Sequence, residues 1–97
     1  MIRVAWHPLA KRELFEAQDF YDARVLGLGD IFLDRVEEAI ALIRRYPHSG
    51  PSEAPGLRRI KTPRFPYGLI YRLEEGRIFI LALAHEKRKP RYWARRV

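Results

Sequence analysis

A predicted β-hairpin in the second half of the chain constrains its fold more than any other feature. Its strands cover residues 68–74 and 77–84, separated only by Glu75 and Gly76. A two-residue connection with glycine at its second position is typical of a tight hairpin turn, because glycine tolerates the positive φ required there. The second strand is apolar at every position from Ile78 onward, whereas a strand with one solvated face alternates between apolar and polar residues. We therefore predict that this strand lies inside a sheet and is covered on both faces.

Two amphipathic helices are predicted before the hairpin. The first covers residues 9–25 and follows Pro8, a residue suited to the first turn of a helix. The second covers residues 30–46 and stops at Pro47. Apolar residues recur at three- and four-residue spacing in both; they are Ala10, Leu14, Ala17, Tyr21 and Val25 in the first helix, and Phe32, Leu33, Val36, Ala39, Ile40 and Ile43 in the second. Because each stripe needs apolar surface to cover it, we expect the helical hairpin to pack on one face of the sheet.

The remaining segments complete a small α+β domain. Residues 2–6 and Leu57–Lys61 are predicted to be strands, and residues 48–56 to be a loop because proline, glycine and serine dominate them. Pro90 is expected to begin a last short helix over residues 91–96. The predicted fold is a single domain over residues 1–97 in the order β-α-α-β-β-β. The last three strands form an antiparallel sheet, the first strand joins it at an edge, and a short basic helix or tail ends the chain.

Positive charge is concentrated in the second half of the chain. Residues 1–56 hold seven Lys/Arg and nine Asp/Glu, whereas residues 57–97 hold twelve Lys/Arg and three Asp/Glu. The net charge of +7 therefore comes from the predicted sheet and tail. Such asymmetry indicates a polyanionic partner, such as nucleic acid or an acidic protein segment. A solvated basic face that serves only solubility is the alternative interpretation.

Several kinds of site and location are not expected for this sequence. It has no apolar run long enough to cross a bilayer, and its first residues lack the apolar core of a secretion signal. Cysteine is absent, and no histidine or carboxylate pair has the spacing of metal ligands. We therefore expect a cytoplasmic protein with no membrane partner, no metal and no cofactor.

The predicted buried strand leads directly into a cationic and aromatic segment, residues 85–96. Aromatic side chains beside arginine can stack on unpaired bases. They can equally bury a large apolar area against the core. We predict that Trp93 packs on the core and that Tyr92 is exposed beside the basic residues.

The chain resembles the RelE/ParE superfamily of toxins from bacterial type II toxin–antitoxin systems. The most specific part of the resemblance is the order His-x-x-Arg-x-Pro-x-Tyr-Trp, residues 85–93. The other matching segments are Ala10, Leu14 and Tyr21 in the first helix, residues 46–50, Leu57–Lys61 and residues 67–72. Together these segments span essentially the whole chain.

This resemblance implies a RelE-like fold and a small basic toxin that is neutralised by an antitoxin encoded beside it, as a toxin–antitoxin hetero-oligomer. Relatives of the RelE kind cut messenger RNA on the ribosome, so our first hypothesis is a metal-independent endoribonuclease. Relatives of the ParE kind inhibit DNA gyrase without catalysis, which is the alternative, and an inactive homologue that only binds antitoxin is a third. The helix stripes have a second interpretation too, since Tyr21, Phe32 and Leu33 could face an antitoxin helix instead of the core.

The resemblance also implies which residues would cleave RNA. By position, Arg59 and Lys61 match a basic pair on the first strand of the antiparallel sheet, and Arg88 matches an arginine after the last strand. Tyr92 is an approximate match for a tyrosine near the tail. Gly68 stands where the family has an arginine, which weakens the ribonuclease prediction.

His85 is a further candidate, because histidine exchanges a proton near neutral pH. It is equally consistent with a residue that hydrogen-bonds the tail against the sheet. The predicted RNA-binding side chains around these catalytic candidates are Arg58, Arg64, Arg72, Lys87, Lys89 and Arg91, of which Arg64 and Arg72 are possible substitutes for the missing arginine.

Overall fold

A computed structural model describes residues 2–97 of the chain. The elements in chain order are β1 (Arg3–Trp6), α1 (Pro8–Arg24), α2 (Leu28–Arg45), β2 (Ser52–Ala54), β3 (Leu57–Lys61), β4 (Tyr67–Glu74), β5 (Arg77–His85) and a 3₁₀ turn (Ala94–Arg96). No helix within the described residues is both long and apolar enough to cross a membrane.

The five strands form one sheet in the order β1-β5-β4-β3-β2. Strands β2 to β5 pair antiparallel in sequence, and β1 pairs parallel with β5 at one edge. The helical hairpin covers one face, where the apolar stripes of α1 and α2 join the main core. The predicted α+β fold, with the first strand at an edge and the helices on one face, is confirmed.

Strand β5 is buried on both faces, as its continuous apolar sequence predicts. A β-bulge lies at Leu81, because Ile70 pairs with Ala82 and Tyr71 pairs with Ile80, which leaves Leu81 as the extra residue. The bulge shifts the alternation of side chains between the two faces. Ile78, Ile80 and Leu83 join the core beneath the helices, and Leu81, Ala82 and Ala84 join a second core on the opposite face.

The structure differs from the sequence prediction in the segment after α2. Residues 48–56 are not a loop throughout, since β2 pairs with β3 there and forms the outer edge of the sheet. Pro51 and Pro55 flank this three-residue strand, as is usual for an edge strand. A strand this short, between two prolines, leaves no periodic signal in the sequence.

The predicted helix boundaries shift at two places. Val25 lies just after α1 and is 60% exposed, so it is not part of the buried stripe that the sequence predicts. The predicted helix over residues 91–96 is reduced to the 3₁₀ turn at Ala94–Arg96. Arg91 has a φ of 60°, in the left-handed region, which interrupts any helix that begins at Pro90.

Candidate functional site

The predicted site residues gather where the end of β5 meets the basic tail, which we define as residues 86–97. The tail folds back over the sheet face opposite the helices and encloses a cavity of about 130 Å³. The candidates that line this cavity are Arg59, His85, Arg88, Lys89, Arg91 and Tyr92. The structure thus brings six of the predicted residues, from two strands and the tail, around one cavity.

The Arg59 side chain lies across Gly68, the position at which the resembling family has an arginine. Its Nε donates a hydrogen bond to Glu53 Oε1 at 3.0 Å. A Cβ atom built on Gly68 would lie 2.7 Å from Arg59 Nη1 and 3.1 Å from its Cγ. A side chain at position 68 would therefore displace Arg59 from its place over the strand. Glu53 was not among the predicted site residues, because it lies in β2, a segment predicted to be a loop.

Lys61 is next to the cavity but has a partner of its own. Its Nζ lies 3.3 Å from Glu86 Oε1, and both side chains are exposed, 70% and 49% respectively. Ion pairs this exposed contribute little to stability, so Lys61 is free to exchange Glu86 for another anion.

Three predicted RNA-binding arginines do not line this cavity. Arg58 Nη1 donates hydrogen bonds to the carbonyl oxygens of His48 at 2.9 Å and Gly50 at 2.8 Å, so it fastens the segment after α2. Arg72 Nε donates to Glu74, and its guanidinium lies 4.7 Å from the ring centroid of Phe79. Arg58 and Arg72 line a separate cavity of about 270 Å³. Arg64 lies in the turn between β3 and β4, with a φ of 67°.

His85 makes contacts that fasten the start of the tail. Its Nδ1 accepts a hydrogen bond from the backbone N–H of Lys87 at 3.0 Å. Its ring meets the edge of Tyr67 at a centroid distance of 5.0 Å. It also lines a larger groove of about 320 Å³ beside α1, together with Arg88. The contacts with Lys87 and Tyr67 support the packing interpretation of His85, and its position in the wall of the tail cavity is what the proton-transfer interpretation requires.

Tyr92 is not exposed as predicted, because its side chain turns toward α1. Its hydroxyl donates a hydrogen bond to Glu13 Oε2 at 2.8 Å. Burial, followed by this bond to the Glu13 carboxylate, raises the pKa of Tyr92 well above its usual range. The Tyr92 hydroxyl therefore remains protonated, and its proton points to Glu13 rather than into the cavity.

Glu13 also binds the end of the tail. Arg96 donates two hydrogen bonds to the Glu13 carboxylate, Nη1 to Oε1 and Nη2 to Oε2, both at 2.9 Å. Only 11% of the Arg96 side chain and 13% of the Glu13 side chain are exposed. We call Glu13, Tyr92 and Arg96 the tail clasp. No signal in the sequence points to it, since Glu13 is one of several carboxylates on a polar helix face.

Two aromatic residues hold the tail on the sheet. Trp93 is 1% exposed and packs in the second core, so its predicted packing role is confirmed. The Tyr92 ring supports Arg88, whose guanidinium carbon lies 3.8 Å from the ring centroid. This contact holds the Arg88 side chain in an exposed position, where the tail cavity meets the larger groove.

The comparison with known families identifies the group to which this chain belongs. The family model described as the ParE toxin of the type II toxin–antitoxin system parDE matches residues 4–90. The chain is a member of the ParE toxin family. The resemblance to the RelE/ParE superfamily is thus confirmed over nearly the whole chain. Within the tail clasp of this ParE-family chain, Tyr92 and Arg96 lie beyond the matched residues.

Solved structures support the fold of this ParE-family chain. A structure described as the chromosomal ParDE toxin–antitoxin system from P. aeruginosa superimposes with a TM-score of 0.75. The match covers 88% of this chain and 96% of the other, at 22% sequence identity. At that identity the likeness establishes the fold. A comparison with curated protein sequences gave no significant match.

Proposed function

We propose that this chain is the toxin of a ParE-type toxin–antitoxin module and that it arrests growth by binding DNA gyrase, without catalysis. The observation that carries the proposal is the tail clasp. It engages the tyrosine that a RelE-like ribonuclease would use, because the Tyr92 hydroxyl is bound to Glu13. This hydrogen bond favours a structural role for Tyr92 over proton transfer.

Metal-independent RNA cleavage needs a base, an acid and cations that stabilise charge on the phosphate in the transition state. The chain has an incomplete set for that chemistry. Position 68 has no arginine, and Arg59 occupies the space above it while paired with Glu53. Because the Tyr92 hydroxyl is bound to Glu13, His85 is the remaining candidate for proton transfer among the predicted catalytic residues.

The exposed part of the basic tail supports a binding function. Lys87, Arg88, Lys89, Arg91 and Arg95 are all exposed. A dense cationic surface of this kind steers a protein toward an acidic surface and is sensitive to salt. A complex of gyrase with its DNA is a target of suitable charge.

Ribosome-dependent cleavage of messenger RNA is the second candidate function. The observation that favours it is the shared cavity, which brings Arg59, His85 and Arg88 together. In that scheme Arg59, Lys61 and Arg88 bind the phosphate, His85 transfers the proton, and Lys87, Lys89 and Arg91 bind the RNA backbone. A homologue that only binds antitoxin is a third possibility.

We also propose that an antitoxin encoded beside this chain neutralises it in the cytoplasm, as a hetero-oligomer. The solved structure at 22% identity is described as a toxin–antitoxin system, which supports this partner. An acidic antitoxin segment would be attracted to the exposed cations of the tail.

Pulse labelling after induced expression tests the target. Parallel cultures receive labelled thymidine and labelled amino acid, and purified toxin is added to a gyrase supercoiling assay. We expect DNA synthesis to fall first and supercoiling to be inhibited. An early collapse of protein synthesis would instead favour messenger RNA cleavage, and no change in either label would favour the inactive homologue.

Two substitutions test the residues. Replacing Arg88 with alanine should abolish growth arrest while the circular dichroism spectrum is unchanged, because Arg88 is exposed and supports no core residue. Arg12→Ala, which removes an exposed arginine from α1, is the matched control and should keep full toxicity. His85→Asn, which keeps an acceptor for the Lys87 N–H but cannot exchange a proton near neutral pH, should remain toxic if the toxin acts by binding and should lose toxicity if it cleaves RNA.

A further inference from the structure

The edge of β5 loses its strand partner part-way along its length. Pairing with β1 ends at Ile80, whose carbonyl accepts a hydrogen bond from the His7 N–H at 2.8 Å. After His7 the chain enters α1 and leaves the sheet. The backbone groups of β5 beyond Ile80 therefore need other partners, since buried backbone polar groups are rarely left unpaired.

The tail clasp supplies those partners. The Leu83 N–H donates to Glu13 Oε1 at 3.1 Å, and the Leu81 carbonyl accepts from Arg96 Nη1 at 3.2 Å. The Tyr92 hydroxyl also approaches the Leu83 carbonyl, at 3.4 Å. Side chains from α1 and the tail thus take the place of a neighbouring strand.

Glu13 is the centre of this arrangement. Its carboxylate accepts from Arg96 through both oxygens, from the Tyr92 hydroxyl and from the Leu83 N–H. Bidentate pairing between arginine and a carboxylate has a defined geometry as well as charge attraction. One carboxylate on a helix therefore fixes two separate points of the tail.

The position of Arg88 depends on the clasp. Within residues 2–97 Arg88 forms no ion pair, and its side chain rests on the Tyr92 ring at 3.8 Å. That ring is held by its hydroxyl on Glu13 and lies 5.1 Å from the Arg96 guanidinium. A change at Glu13 is therefore transmitted to Arg88 through Tyr92.

We propose that Glu13 is a positioning residue, which acts through Tyr92 and Arg96 to hold Arg88 in the conformation that meets the toxin's target. This inference rests on the proposed function only in requiring that Arg88 contacts the target. The identity of the target enters neither of the two measurements that decide the inference, which are tail cleavage and growth arrest.

The first measurement is limited trypsin digestion of the purified toxin, with mass spectrometry to follow cleavage after Arg91. Glu13→Gln keeps the shape of the side chain but removes the charge that binds Arg96. We expect this variant to be cleaved after Arg91 at least about tenfold faster than the parent. This ratio corresponds to a decrease of about 1.4 kcal/mol in the free energy of opening the tail. Glu37→Gln, an exposed carboxylate on α2, is the control and should be cleaved at the parent rate.

The second measurement separates positioning from a general structural role and does not depend on the folding of the Glu13 variant. Tyr92→Phe keeps the aromatic face beneath Arg88, whereas Tyr92→Leu fills similar apolar space without a π face. We expect Tyr92→Phe, which loses the hydrogen bond to Glu13 but keeps the ring beside Arg96, to need about threefold more toxin than the parent. We expect Tyr92→Leu, which also loses the π face, to need at least about tenfold more toxin than the parent, a loss of about 1.4 kcal/mol.

Three results would overturn the proposal: cleavage of folded Glu13→Gln at the parent rate, growth arrest by Tyr92→Phe at the parent dose, or equal toxicity of the two Tyr92 variants. A parent toxin that arrests growth but leaves supercoiling intact would refute gyrase as the target. That result would leave the role of Glu13 to be decided by tail cleavage and growth arrest alone.

Discussion

Replacing Trp93 with alanine should strongly destabilise the domain. The side chain is 1% exposed and packs with Leu57, Ile70 and Leu81 on the sheet face opposite the helices. Truncation of a buried tryptophan costs about 3–5 kcal/mol, against a total stability of about 5–15 kcal/mol for a domain. Each kcal/mol lowers the melting temperature of a domain of 60–100 residues by about 4–8 °C, so we expect a decrease of about 12–40 °C.

Thermal and urea unfolding, followed by circular dichroism, measure this loss. Phe15→Ala is the matched control, because Phe15 is 48% exposed on α1 and its removal should change the free energy of unfolding by less than about 1 kcal/mol. If Trp93→Ala also loses less than about 1 kcal/mol, the tail is not docked on the sheet in solution. The tail would then not present Arg88 from a fixed position.

Two further predictions concern stability. Gly29→Ala should destabilise the domain by about 1–3 kcal/mol in thermal unfolding. The reason is that the new Cβ would lie 2.5 Å from the Gln18 carbonyl oxygen and 2.7 Å from Asp22 Cγ. A melting temperature equal to that of the parent would contradict this close approach of the two helices. The pKa of Tyr92 is raised by burial and by Glu13 above its ordinary value of 10.0, so its protonated form stabilises the fold fully below about pH 10 and this stabilisation is lost as pH rises further. Urea unfolding at several alkaline pH values should therefore show a steeper loss for the parent than for Tyr92→Phe, and parallel curves would contradict the assignment.

Most of the fold could be predicted from the sequence, because periodicity and turn chemistry are local. The stripes of α1 and α2 recur at helical spacing, and the residues predicted to face inward are largely buried. The turn after β4 has Gly76 at a φ of 73°, the conformation for which glycine was expected. The order of elements, apart from β2, followed from these patterns, whereas the family was implied by the resemblance of residues 85–93 and the other matching segments.

Part of the candidate site could be predicted as well. The segment that follows the buried strand does place His85 and Arg88 at one cavity, and Arg59, which the resemblance implied, lines the same cavity from β3. Burial of Trp93 followed from its size and its place beside the core. His85 and Arg88 lie near each other because they are three residues apart at the end of one strand.

The direction and pairing of individual side chains were decided by the tertiary structure. Tyr92 was expected to be exposed, but its hydroxyl meets a carboxylate 79 positions away in the chain. Glu53 pairs with Arg59 from a strand too short to recognise, and the bulge at Leu81 shifts the alternation of β5. Apolar periodicity specifies which face of an element is buried, whereas the partner of a charged group depends on how distant elements dock. For Glu13, that docking occurs where β1 leaves β5 and the free backbone groups require side chains in its place.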